Sequence, residues 1–157
     1  MLNAETILPL LEDTENERTE RTISTDAKEK FGQAICAFAN DIMNTGKPGY
    51  LFIGANNDGS RSGFKYTDDF QKDIGAMRSE GNILPQPVMQ VYKVALPDGD
   101  IGVVEVQPSK LPPVRFRGRI YIRSVSVPVK PLLTTKKSAS FWSDESSIPP
   151  TLNPSPA

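Results

Sequence analysis

Apolar residues at positions 31, 35, 38 and 42 recur at helical spacing, which predicts a helix with a narrow stripe of Phe31, Ile35, Phe38 and Ile42 and with Ala27 and Ala34 beside it. Asp26 followed three residues later by Glu29 has the pattern of a capping box and predicts where that helix begins. Asn44 to Gly49 holds Pro48 and two glycines, which cannot continue a helix, so it predicts a connection. Tyr50 to Ile53 is wholly apolar and predicts a short buried strand that ends at Gly54-Ala55, before a turn at Asp58-Gly59. A helix feeding a buried strand is the seed of an α/β layer, beside which the other strands should pair.

The remaining pattern fills in that layer. Ala4 to Leu11, apolar but interrupted by Pro9, predicts a short first helix or turn, and Arg18 to Ser24 predicts an edge strand. Thr67 to Glu80 predicts a second main helix, capped by Thr67 or Asp68 and burying Phe70, Ile74 and Met77. Val88 to Leu96 and Ile101 to Val106 are apolar at nearly every position and predict a β-hairpin deep in the sheet, with its turn at Asp98-Gly99. A second hairpin over 114 to 123 alternates, which sends Val114, Phe116, Ile120 and Ile122 to the core. Arg115, Arg119, Tyr121 and Arg123 then share the opposite face, with Arg117 at the turn. Serine and proline dominate after Ser124. The expectation is one α/β (α+β) domain over 1–125, with a mixed, mostly antiparallel sheet, two principal helices and β-hairpins, and a disordered tail over 126–157 in which Phe141-Trp142 can dock on the domain.

Charge changes the picture more than composition does. With 157 residues, 38% hydrophobic and 24% charged, the chain has the makeup of one soluble domain. It shows neither a long apolar run nor a leader segment, which favours the cytoplasm. The net charge of −1 conceals segregation: Met1 to Glu20 holds six acids against Arg18, whereas Gln107 to Ser143 holds eight bases and no acid. Arginines beside an exposed tyrosine suit phosphate contacts and base stacking, which makes Arg115, Arg117, Arg119, Tyr121 and Arg123 the candidate nucleic-acid-binding residues. The competing explanation is an arginine face that only keeps a sheet soluble. The sequence has no histidine, which removes His-based triads and His metal ligands, and no G-x-x-x-x-G-K-[ST] phosphate loop. The single Cys36, placed outside the main apolar arc, excludes an internal disulfide.

Taken together, AFAND at 37–41, GYLFIG at 49–54, NDG at 57–59 with Gly63 four residues on, the glutamates around Glu15, Glu17 and Glu20, and PPVRFRGRIYIR at 112–123 resemble the Schlafen AlbA-like domain family over residues 5 to 125. The resemblance implies a nucleic-acid-binding, DNA-binding accessory domain of the kind fused to bacterial transcriptional regulators and to proteins labelled RecG-related helicases, without a motor of its own. The Schlafen branch further implies a metal-dependent RNA-cleaving site, carried here by Glu15, Glu20 and Asp58 with Mg²⁺ or Mn²⁺. Asn56 and Asn57 stand where acids are common, and Thr22 where the family has lysine, both of which weaken that site. The resemblance also leaves open ATP binding without a Walker loop, through Gly54, Asn56, Asn57 and Gly59. Simple turn chemistry accounts equally for the same residues. The expected partners are DNA or RNA, with self-association or a protein partner through a sheet edge as a further alternative, and no membrane.

Overall fold

The computed structural model describes residues 1–123; the expected tail, with Phe141 and Trp142, lies outside the described residues. In chain order the elements are α1 (Ala4–Glu12), β1 (Thr19–Thr22), α2 (Lys28–Asn40), β2 (Gly49–Ile53), α3 (Asp68–Ala76), β3 (Ile83–Leu84), β4 (Met89–Leu96), β5 (Gly99–Val106), β6 (Arg115–Phe116) and β7 (Arg119–Ile120). They form an α+β domain with a four-stranded mixed sheet of order β1-β2-β5-β4 and a small sheet of order β3-β6-β7. Only β1 and β2 run parallel; the other pairs are antiparallel.

The two central strands, β2 and β5, are covered on both faces, which explains their continuous apolar runs. Leu51, Ile53, Val104 and Val106 face a core built with α2, α3 and the β6–β7 hairpin. Phe52, Ile101, Val103, Tyr92 and Val94 face the opposite side, where Ile7 and Leu11 of α1 complete a second core. Pro9 sits inside α1, whose start is held by an Asn3 capping box with Thr6.

Several expectations need correction. α2 ends at Asn40 because Asp41 turns left-handed at φ 43°, so Ile42 is exposed and not part of the stripe. Its N-cap is Ala27 without a side-chain hydrogen bond, and Asp26 instead accepts the Ser24 hydroxyl. Cys36 is fully buried because α2 has the sheet on one side and the β6–β7 hairpin on the other. α3 stops at Ala76, although Thr67 caps it as expected and Met77 is buried. In the first long hairpin β5 is central, but β4 forms the sheet's edge, and its Leu96↔Gly99 pair places the turn at Pro97-Asp98. β1 is the other edge, as its threonine-rich sequence predicts.

Candidate nucleic-acid interface

The β6–β7 hairpin owes its position to Asn40. The Asn40 Nδ2 donates to the Val114 carbonyl at 3.0 Å and the Tyr121 carbonyl at 2.8 Å, and the Val114 amide donates back to Asn40 Oδ1 at 2.6 Å. One amide thus satisfies backbone groups on both arms of the hairpin. Nearer the start of α2, Gly32 leaves room for the Phe116 ring, which a Cβ there would strike. At the tip, Arg117 and Gly118 both have positive φ, and the Arg117 amide donates to the Asn82 carbonyl at 2.7 Å. The tip thereby overlies the first turns of α2, where the exposed Lys28 and Lys30 flank Glu29. The Arg117 guanidinium meets Glu29 at 2.6 Å and lies 5.1 Å from the Phe116 ring centroid. Arg115 and Arg119 are both exposed, but the pairs Arg115↔Ile120 and Phe116↔Arg119 put them on opposite faces of the hairpin, not on the one face expected, and leave Ile120 half-buried beside Arg115.

Tyr121 and Arg123 are buried and not exposed with these arginines. The pairs Arg115↔Ile120 and Phe116↔Arg119 enclose a two-residue turn, so residues on the same face have opposite parity in the two arms. Tyr121 therefore sits with Val114 and Phe116 in the core, 4% exposed, its ring centroid 6.2 Å from that of Phe116. Arg123 lies beyond the strand, its guanidinium 5.5 Å from the Phe38 centroid and 3.2 Å from Glu20. Burial draws the Arg123 pKa below its ordinary value, with Glu20 opposing the shift and Arg18 and Arg21 adding to it. A buried, carboxylate-paired guanidinium is a structural tie and not a phosphate contact.

The proposed carboxylate site does not assemble. Glu15 is exposed in the turn after α1, Glu20 projects from β1 toward Arg123, and Asp58 accepts both the Ser60 amide and hydroxyl, at 2.9 and 2.6 Å. Among the described residues no group of three His, Cys, Asp or Glu side chains could hold a metal ion, so the donor set for Mg²⁺ or Mn²⁺ does not fit.

Four amides at the glycine turn, expected as a phosphate cradle for ATP, are directed at the protein itself. The amides of Gly54 and Ala55 donate to the Thr22 carbonyl, that of Asn56 to Ser60, and that of Gly59 to Asn56. Gly54 packs on Phe64 and Gly59 on the Leu11 carbonyl, so the close approaches these glycines permit are to the protein itself. Asn56 and Asn57 instead help to line a cleft of about 410 Å³ at the C-terminal ends of β1 and β2, which Lys30 and Gln33 of α2 also line.

A sequence profile described as Schlafen, AlbA_2 matches residues 12–127. The chain belongs to this family. The fold of the AlbA_2 domain is shared with the solution NMR structure of the N-terminal domain of an ATP-dependent DNA helicase RecG-related protein from Nitrosomonas europaea. The two are 20% identical with a TM-score of 0.55, covering 92% of this chain and 96% of the other. No curated protein matches the sequence significantly. Among the described residues no helix is long and apolar enough to cross a membrane.

Sequence reasoning missed three contributors to the AlbA_2 surface. Lys28 and Lys30 were not singled out, and it is the docked hairpin that brings Arg117 to Glu29, which lies between them in sequence. Asn40 carried a usable signal, an amide closing an apolar helical run at AFAN, but its partners are more than seventy residues away.

Proposed function

We propose that this AlbA_2 domain binds nucleic acid through Lys28, Lys30, Arg115, Arg117 and Arg119. The observation that supports it is the docking of the β6–β7 tip on the start of α2, tied by the Arg117–Glu29 ion pair, which gathers exposed cations from two elements distant in sequence. Exposed cations attract backbone phosphates, and that attraction is independent of base sequence. In this proposal the domain serves as a DNA-binding accessory unit of a transcriptional regulator or RecG-related protein and supplies no motor activity.

The test is fluorescence anisotropy with labelled duplex DNA, single-stranded DNA and structured RNA. With four or five phosphate contacts, affinity should fall about 100- to 500-fold between about 50 and 200 mM salt. Arg119→Glu and Arg115→Glu should each weaken binding and flatten that salt dependence. Binding indifferent to salt, or unchanged in both variants, would overturn the proposal.

A further inference from the structure

The cleft beside the basic face has features that phosphate binding alone does not use. Phe31, Ala34, Leu51 and Ala55 contribute apolar lining, and Ile23 lines it as well while 59% exposed. Polar lining comes from amides. Asn57 is exposed, Asn56 has its Nδ2 engaged by Ser60 at 3.1 Å, and Gln33 lies beside the Tyr121 hydroxyl. The acidic lining residue, Glu20, is ion-paired with Arg123, which offsets its charge toward an anionic ligand.

We infer that the cleft receives one unpaired base of a single-stranded nucleic acid whose phosphates lie on Lys30 and the hairpin arginines. This inference rests on the nucleic-acid reading above. A cleft of about 410 Å³ lies in the size range of small-ligand sites, about 300 to 1,000 Å³, and has room for one nucleoside. A base offers two kinds of surface, an apolar face and a hydrogen-bonding edge. The Ile23 side chain supplies contact for the first, and the amides, able to donate and accept, suit the second. Lys30 both lines the cleft and belongs to the basic face, so a strand can place a phosphate there while its base turns inward. A paired base within a duplex stack has its faces covered by its neighbours and its Watson–Crick edge engaged by its partner, so it cannot enter the cleft.

The test uses the full chain with a 5′-labelled single-stranded DNA carrying one central 2-aminopurine, and the same strand annealed to its complement. At equal salt the single strand should bind about tenfold more tightly than the duplex. Its 2-aminopurine emission should rise on binding as that base leaves the stack. Ile23→Ser and Asn57→Ala alter exposed side chains, so both should melt like the parent, while each cuts the single-strand preference by about fivefold or more. Equal or tighter duplex binding, or a preference that survives both substitutions, would overturn the cleft inference. If duplex binding then still weakened in Arg119→Glu, the basic-face proposal would stand alone; loss of binding to both probes would remove both.

Discussion

Replacing Asn40 with alanine should undock the hairpin that carries the basic tip. The substitution removes the donors to the Val114 and Tyr121 carbonyls and the acceptor for the Val114 amide. Val114 is fully buried, so its amide gains no water in exchange. Allowing roughly 1 kcal/mol for each hydrogen bond, and more where the group left behind is buried, Asn40→Ala should lose about 3 to 4 kcal/mol. For a domain of this size that lowers Tm by about 10 °C or more. Urea denaturation monitored by circular dichroism gives the free energy, and hydrogen exchange at the Val114 amide locates the opening. Nucleic-acid affinity should fall with it even though no cation has been removed, because Arg115, Arg117 and Arg119 would no longer be held beside Lys28 and Lys30. A loss below about 1 kcal/mol, with Val114 still protected, would refute the idea that this amide holds the hairpin in place.

Other perturbations report on neighbouring parts of the same architecture. Glu29→Ala frees the Arg117 guanidinium from a pair in which both partners are more than half exposed, so stability should change by no more than about 1 kcal/mol. Affinity for DNA at low salt should rise about fivefold, since a unit charge at about 4 Å is worth roughly 1 kcal/mol in water, and unchanged or weaker binding would count against the basic face. Cys36 is buried with its thiol donating to the Val114 carbonyl, and burial pushes its pKa up to about 12. At pH 8 the native protein should therefore react with a thiol reagent at least about 100-fold more slowly than the unfolded chain, and Asn40→Ala should speed the reaction.

For Asp41, burial alone would raise the pKa, but the Gly46 and Thr45 hydrogen bonds and Arg18 outweigh it and hold the carboxyl below its ordinary value of 3.8. Its stabilisation is present above the unfolded value and is lost as pH falls through the lower folded one. Asp41→Asn tolerates the left-handed backbone, so it should be less stable than the parent at pH 7 by about 1 to 2 kcal/mol. That gap should narrow as pH falls past the ordinary value of 3.8 and through the lower folded one; a constant gap in urea denaturation would refute the assignment.

What the sequence determined by itself is local. The spacing of Phe31, Ile35 and Phe38, the apolar run at 51–53 and the threonine cap before α3 each express a preference within one turn or strand, and each survives in the fold. The AFAND, GYLFIG and NDG motifs placed the chain in its family because they record several such local choices in order. What covers each face is a different matter. Apolar positions run through both β4 and β5, yet only the fold shows that β5 is central and buried on both faces while β4 is an edge with Gln90, Lys93 and Ala95 exposed.

In the second hairpin the alternation was legible, but the register across Arg117-Gly118 put Tyr121 in the core, and Arg123 was buried against Phe38 and Glu20. At the turn over 56–59 the sequence left anion binding and plain turn chemistry open, and the fold ties the Asn56 and Gly59 amides within the chain. The proposed interface depends on the Arg117–Glu29 pair, which joins the β6–β7 tip to the start of α2 across more than eighty residues of sequence. Local propensity fixes which way a side chain leaves its own element; whether that direction meets water, a carboxylate or a packed ring is decided by the segments folding brings against it.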